Sequence, residues 1–127
     1  NDPPSAPEVE FVHANGEQVT IKWEKPDLQG APLVEYRVYV DNGLGGRTRL
    51  FATIPAEKIA STAMYDENGT MEGDNNTVVY SVRPLTAMRH YRIEVSAVSA
   101  AAESDRTMLE AETCRVPVAP TIYYLPS

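Results

Sequence analysis

Cysteine is scarce in this sequence of 127 residues, which contains only Cys114, so no disulfide can form within the chain. That residue is either a small side chain near the end of the domain or a thiol free to bond to another chain. Histidine is also rare, since His13 and His90 are the only two, and neither lies at metal-ligand spacing from other donors. No run of about 18 apolar residues occurs. The sequence therefore predicts no metal, no cofactor and no membrane insertion.

Basic residues are outnumbered, with 11 Lys and Arg against 18 Asp and Glu, which gives a formal net charge of −7. Nucleic acids and anionic lipid surfaces attract proteins chiefly through clustered Lys and Arg. The charge balance therefore argues against nucleic-acid binding. We expect the partners to be other proteins and neighbouring domains of the same chain.

Motifs for catalysis are missing as well. The sequence contains no Gly-x-Ser-x-Gly turn, no phosphate-binding loop and no zinc signature. The carboxylate pair Asp66-Glu67 falls in a predicted loop, which would not hold two carboxylates at a fixed separation. We predict that the chain is not an enzyme.

What the sequence does contain is a series of short alternating segments. The clearest runs from Tyr91 to Val98, where apolar residues at 91, 93, 95 and 97 alternate with polar ones. A period of two is what a strand needs when one face packs and the other meets water. About seven such segments separated by turn signals are typical of a sandwich of two antiparallel sheets. They cover residues 8–12, 18–23, 34–40, 47–54, 77–82, 91–99 and 107–113.

The chain divides into one domain and two terminal segments. Residues 1–6 are proline-rich and predict an extended linker that leads into a domain over residues 7–116. Residues 117–127 contain three prolines and predict a stiff linker to a neighbouring domain. The alternative is a tail whose bulky residues at 122–125 pack against an apolar patch.

One segment is too long for a tight connection between strands. Residues 55–76 form an insertion of 22 residues before the fifth predicted strand. Pro55 at a possible first helical position, with Ile59 and Ala63 four residues apart, predicts one or two helical turns up to Met64. The acidic, glycine-containing remainder is predicted to be a loop.

Two Asn-x-Thr triplets lie in this insertion, at Asn68 and Asn75. Each matches the acceptor for N-linked glycosylation. Two such sites in one exposed insertion predict an extracellular or cell-surface location. The alternative is a cytoplasmic location, in which the triplets would have no meaning.

Four core candidates give the sequence a family likeness. Trp23 lies in the second predicted strand, Tyr36 in the third, and Leu85 and Tyr91 flank the turn into the sixth. Together they resemble the pattern of a fibronectin type III domain. The resemblance implies an all-β, seven-stranded sandwich with Trp23 filling its centre. It also implies that Tyr91 is a tyrosine corner, whose hydroxyl bonds to the backbone upstream.

The sequence departs from this family pattern in the insertion and in the turn before Tyr91, where Ala87 and Arg89 stand in place of the usual proline and threonine. The resemblance implies a non-catalytic module of a multidomain cell-surface receptor or adhesion protein, acting as spacer and protein-protein interaction domain. The alternatives are a cytosolic module of a muscle or cytoskeletal protein, and an accessory domain of a secreted microbial enzyme. The family's integrin-binding tripeptide Arg-Gly-Asp is absent, and Ser104-Asp105-Arg106 occupies the corresponding loop.

One sheet face supplies the candidate partner-binding residues, because the third, fourth and sixth strands are neighbours in this architecture. Arginine and tyrosine are both enriched at interface hot spots. The alternative interpretation is a solvated face with cross-strand ion pairs. The residues expected to project from this face are Arg37, Tyr39, Arg47 or Arg49, Arg92 and Glu94.

Overall fold

The computed structural model describes residues 2–57, 64–65, 71–72 and 77–114, the two short ranges through their backbone alone. Seven of the strands in these ranges form two antiparallel sheets, with order β1-β2-β7 and β4-β3-β8-β9. This arrangement confirms the predicted seven-stranded all-β sandwich. The strands are β1 (Val9–Ala14), β2 (Val19–Glu24), β3 (Leu33–Val40), β4 (Arg49–Pro55), β5 (Met64–Tyr65), β6 (Met71–Glu72), β7 (Thr77–Val82), β8 (His90–Ser99) and β9 (Thr107–Glu112).

The core lies between the two sheets and follows the alternation of the sequence. In β2, Val19, Ile21 and Trp23 are buried, whereas the residues between them reach the surface. The Trp23 and Tyr36 rings meet edge to face, with centroids 5.3 Å apart and an interplanar angle of 72°. Such aromatic pairs add to the stabilisation that burial already provides. Tyr91 is also buried, and Leu85 packs against this core while partly exposed.

The turn before β8 has the geometry of a tyrosine corner. The Thr86 backbone N–H donates a hydrogen bond of 2.8 Å to the Tyr91 hydroxyl. The Leu85 N–H donates to the Glu17 carbonyl at 2.7 Å, which ties the turn to the β1–β2 connection. Met88 occupies the left-handed region with φ of 60°. The corner thus forms although the residues around it differ from the family pattern.

The insertion contains structure that the sequence pattern did not predict. Its β5 and β6 pair as a small antiparallel sheet, Met64 with Glu72 and Tyr65 with Met71. Ala56 and Glu57 have helical backbone, as the sequence predicted, whereas Met64 belongs to a strand, which corrects the end of the predicted helical turns. Pro55 ends β4, an edge strand, where a missing backbone N–H is tolerated. The rest of the helical prediction, over residues 58–63, lies outside the described residues.

The two ends of the described chain lie at opposite ends of the sandwich. The Ser5 N–H donates to the Asp27 carbonyl at 2.8 Å, just beyond the end of β2. The Cys114 N–H donates to the Asn15 carbonyl at 2.9 Å, just before β2 begins. Pro4 and Pro7 are buried, so part of the predicted N-terminal linker packs along the domain. Both interpretations of residues 117–127 concern residues outside the described ranges.

Candidate functional site

The outer face of the four-stranded sheet carries the side chains that alternate with the core residues of β3 and β8. Cross-strand neighbours on this face are Tyr39 beside Glu94, and Arg37 beside Ser96. The structure therefore brings four of the candidate residues onto one surface, namely Arg37, Tyr39, Arg92 and Glu94. This surface is called the outer face below.

Glu103, which the sequence analysis did not single out, organises the centre of the outer face. It lies in the loop between β8 and β9, which folds back so that Glu103 bridges to Val98. Its Oε2 accepts hydrogen bonds from the Tyr39 and Ser96 hydroxyls, both at 2.6 Å. Its Oε1 accepts one from Arg37 Nη1 at 2.9 Å. One carboxylate thus holds three polar side chains from two neighbouring strands, β3 and β8.

A second set of contacts covers Tyr39. The Arg106 guanidinium lies over the Tyr39 ring, 3.6 Å from its centroid, in a cation–π contact. The same guanidinium donates to Glu94 Oε1 at 3.1 Å, and the Thr48 hydroxyl donates to that oxygen at 2.8 Å. Tyr39 consequently retains only 7% exposure although it points away from the core. It is covered by the chain itself and offers little surface to a partner.

Arg92 is held by a buried carboxylate at the edge of the outer face. Asp41 has a side chain that is 1% exposed. It accepts hydrogen bonds from the Arg92 backbone N–H at 3.0 Å, from Arg92 Nε at 3.2 Å and from the Gly43 N–H at 3.1 Å. Arg92 Nη2 also donates to the Gly46 carbonyl. Arg92 therefore fixes the turn between β3 and β4 and has a structural role here.

Both carboxylates are held in the ionised form. Burial alone would raise the pKa of Glu103, but hydrogen bonds from Ser96 and Tyr39 and the charges of Arg37 and Arg106 outweigh it and lower the pKa. For Asp41, burial is likewise outweighed by the N–H donors and by the Arg92 guanidinium, so its pKa is also lowered. The sequence carried one signal for Glu103, a carboxylate directly after three alanines in a turn.

Arg47 and Arg49 lie apart from these networks. Arg47 is exposed and precedes β4. Arg49 pairs with Val40, a core residue, so by register it sits on the inner side of the sheet edge and not on the outer face. Within the described residues neither arginine forms an ion pair, whereas Arg37, Arg92 and Arg106 each form at least one.

The remaining candidates fall into two groups. Asn68 and Asn75 lie outside the described residues.

Cys114 and His90 lie within the described residues. Cys114 is an exposed free thiol whose Sγ lies 3.6 Å from the Ala14 carbonyl. His90 is exposed at the surface of β8, with Nε2 2.6 Å from Glu110 and Nδ1 3.4 Å from Glu112, and these carboxylates raise its pKa.

The described ranges contain neither a metal-binding cluster nor a membrane-spanning helix. No group of three or more His, Cys, Asp or Glu side chains there could hold a metal ion. No helix in that part of the chain is long and apolar enough to cross a membrane. The described residues do form a surface groove of about 450 Å³ beside the N-terminal segment, lined in part by Ser5, Glu8, Lys22, Lys25 and Asp27.

Solved structures share this architecture at low sequence identity. The twitchin kinase region from C. elegans superposes with a TM-score of 0.65 at 13% identity, over 94% of this chain and 19% of that one. Titin domains A168–A170 give 0.64 at 16% identity, over 90% of this chain and 33% of theirs. This chain thus spans about a fifth to a third of those structures. The fn3 domain of the human collagen alpha-1(XX) chain gives 0.61 at 19% identity, over 95% and 94%.

At the sequence level, no curated protein matches the chain. The family model for the fibronectin type III domain matches residues 2–109, which is most of the chain. That match agrees with the observed sheet order and with the contact between Thr86 and the Tyr91 hydroxyl. Such domains occur in multidomain proteins such as twitchin and titin, are generally non-catalytic and mediate protein-protein interactions. The chain belongs to the fibronectin type III family.

Proposed function

We propose that this domain is a non-catalytic extracellular module of a multidomain cell-surface receptor or adhesion protein, in which it serves as spacer and interaction domain. The observation that carries the proposal is the placement of the two ends of the domain, Ser5 beside Asp27 and Cys114 beside Asn15, at opposite ends of the sandwich. Neighbouring domains joined at these points would be separated by the full length of the strands. That geometry suits a spacer in a linear array.

The paired charges of the outer face support the spacer role. Arg37, Arg92 and Arg106 are each engaged by carboxylates of the same domain. The Arg37–Glu103 and Arg106–Glu94 pairs tie the loop at residues 100–106 to the sheet. A face whose charges already satisfy one another gains less from a partner than one with free charges. Among the candidate arginines, Arg47 and Arg49 are the ones left for contacts with another protein.

The extracellular location is supported by the two glycosylation triplets in one insertion, at Asn68 and Asn75. The test is secretion of the domain from a glycosylating cell, followed by intact mass with and without enzymatic removal of N-glycans. We expect a glycan mass that disappears on enzyme treatment and in the double variant Asn68→Gln, Asn75→Gln. An unmodified secreted domain would contradict this location.

A second candidate is a cytoplasmic structural module, and Cys114 is the observation that favours it. Its thiol is exposed, and a free surface thiol persists more readily in a reducing compartment. The same secreted preparation separates the two candidates. Unmodified Asn68 and Asn75 together with oxidation or adduct formation at Cys114 would support the cytoplasmic module.

A further inference from the structure

The two sides of the sandwich protect their edge strands differently. On one side β1 and β9 are in contact, and both carry carboxylates, at Glu10 in β1 and at Glu110 and Glu112 in β9. Charged side chains on an edge strand hinder pairing with another chain. On the other side, β4 has no charged residue from 50 to 55 and β7 has none at all. That side of the domain lacks this protection.

Of the two edge strands on this side, β4 and β7, β4 carries more exposed apolar side chains. Leu50 is 56% exposed and Phe51 is 38% exposed, and both are large and apolar. The strand pairs only with β3 within the described residues, so one row of its backbone N–H and C=O groups lacks a strand partner there. The β3–β4 pairing contains a bulge, in which Val38 pairs with Ala52 and Tyr39 with Leu50, so Phe51 is the extra residue on β4.

Free charges of opposite sign lie beyond the two ends of this apolar run. Arg47 and Arg49 precede it, and the exposed Glu57 follows it. Within the part of the chain that the structure describes, none of the three forms an ion pair, although seven such pairs occur there. An apolar strand with arginines at its start and a carboxylate at its end is complementary to itself when reversed.

We propose that β4 pairs antiparallel with β4 of a second copy of this chain about a two-fold axis. The symmetry runs the strands in opposite directions, so the arginine end of one lies beside Glu57 of the other, twice per dimer. The pairing satisfies the open backbone row and joins the two four-stranded sheets into one. It also covers Leu50 and Phe51. The inference does not depend on the extracellular or cytoplasmic setting.

The contact between the two β4 strands is small, and its size determines the protein concentration at which the dimer can be detected. A strand of seven residues spans about 23 Å at 3.3 Å per residue. Interfaces of that extent fall at the low end of the size range, where association is weak and transient. We therefore expect a reversible monomer–dimer equilibrium that becomes visible between about 10 µM and 1 mM chain.

Sedimentation velocity across this concentration range, with hydrogen exchange of β4 peptides measured at both limits, tests the proposal on the whole chain. We expect the mass to rise toward a dimer and β4 amides to become more protected as concentration rises. Leu50→Lys should weaken dimerisation at least about tenfold, because it places a charge on the paired edge. Met108→Lys is the matched control, because Met108 is equally apolar and 50% exposed but lies on β9, at the opposite edge.

Several results would overturn the proposal. A monomer throughout the range would do so, as would a dimer that survives Leu50→Lys. A dimer abolished by Val79→Lys but not by Leu50→Lys would assign the contact to β7. Protection of β4 amides at every concentration would mean that a segment of the same chain covers this edge.

A charge exchange tests the two-fold arrangement itself. Arg49→Glu and Glu57→Arg should each weaken the dimer, since each places like charges together. The double variant should recover affinity, because the symmetric pairing again sets opposite charges side by side. A double variant as weak as the sum of the single ones would contradict the antiparallel pairing.

Discussion

The turn between β3 and β4 contains two glycines with the same backbone conformation and different surroundings. Gly43 has φ of 80° and Gly45 has φ of 86°, both in the left-handed region. A Cβ on Gly43 would lie 2.9 Å from Arg89 Cβ and from Tyr91 Cε1, whereas one on Gly45 would meet no atom within 4 Å. An alanine at Gly45 would therefore introduce backbone strain alone, whereas an alanine at Gly43 would introduce the same strain together with steric overlap.

We predict that Gly43→Ala destabilises the domain more than Gly45→Ala does. Each alanine costs about 1–2 kcal/mol for the left-handed conformation. The overlap at Gly43 adds roughly 1–3 kcal/mol, because the Arg89 backbone and the buried Tyr91 ring must shift. Chemical denaturation of both variants measures the difference. Equal losses would show that the close approach of Gly43 to the tyrosine corner has no energetic consequence.

The hydroxyl of Tyr91 supplies the second prediction at this scale. Tyr91→Phe keeps the buried ring but leaves the Thr86 N–H without its acceptor, which should cost about 1–3 kcal/mol of unfolding free energy. Tyr80→Phe is the control, because the Tyr80 hydroxyl makes no hydrogen bond within the described residues, and it should change stability by less than about 0.5 kcal/mol. A similar small loss in both variants would mean that the corner hydrogen bond is dispensable.

The burial of residues in alternating strands could be predicted from the sequence. The contacts of residues in turns, which depend on how the chain brings distant strands together, could not. Trp23, Tyr36 and Tyr91 stand at inward positions of alternating segments, so their burial follows from the period of two. Asp41 and Glu103 lie in turns, where no period constrains the side chain. Their partners come from other strands, 51 residues away for the Asp41–Arg92 bond and 64 for the Tyr39–Glu103 bond. A local pattern holds no information about such contacts.

At the scale of elements, the loop between β8 and β9 depends on the ionised form of Glu103. The pKa of Glu103 is lowered in the folded domain, so its contribution to stability is fully present above the unfolded pKa of about 4.3. That contribution is lost as pH falls through the folded pKa. At neutral pH, Glu103→Gln should cost about 1–3 kcal/mol, because Tyr39, Ser96 and Arg37 lose a charged acceptor.

Denaturation of wild type and Glu103→Gln at pH 7 and near pH 3 measures this dependence. We expect the stability gap to shrink at acid pH, because a protonated Glu103 resembles the amide. Asp41 also becomes protonated at acid pH, but it does so in both proteins, so its contribution cancels in the stability difference. A gap that stays constant with pH would show that Glu103 acts through packing alone.

The strands themselves were predictable and the insertion was not, for a physical reason. Five of the seven sandwich strands, β2, β3, β7, β8 and β9, contribute buried residues to the core, and this burial imposes alternation on their sequences. The two-residue strands β5 and β6 pair only with each other and are too short to show a period. The helical turns predicted from Pro55, Ile59 and Ala63 begin as expected at Ala56 and Glu57, but this spacing does not encode that Met64 lies in a strand. The edge position of β4 likewise depends on sheet order, which alternation does not encode.

At the scale of the whole molecule, the fold determines where neighbouring domains attach, but it does not name their partners. Sandwiches of this kind host many unrelated binding roles, so function depends on surfaces and not on topology. The outer face illustrates this point, because Arg37 and Arg92, two of the four arginines predicted as contact residues, are bound within the domain. The sequence could identify these residue types but not their internal partners.

The spacer role makes a prediction about distance that the single native cysteine allows to be measured. Thr107 contacts Pro7 at one end of β9, and Cys114 lies seven residues further along the chain. At about 3.3 Å per residue, Ser5 and Cys114 should be roughly 25 Å apart. Spin labels on Cys114 and on Ser5→Cys should therefore give a single long dipolar distance.

The control is a pair of labels on Cys114 and Glu17→Cys. This pair should give strong short-range broadening, because the Cys114 N–H donates to the carbonyl of Asn15, which lies two residues before Glu17. If the two pairs gave the same distance, Ser5 and Cys114 would lie at the same end of the sandwich, and a linear array through this domain would be excluded.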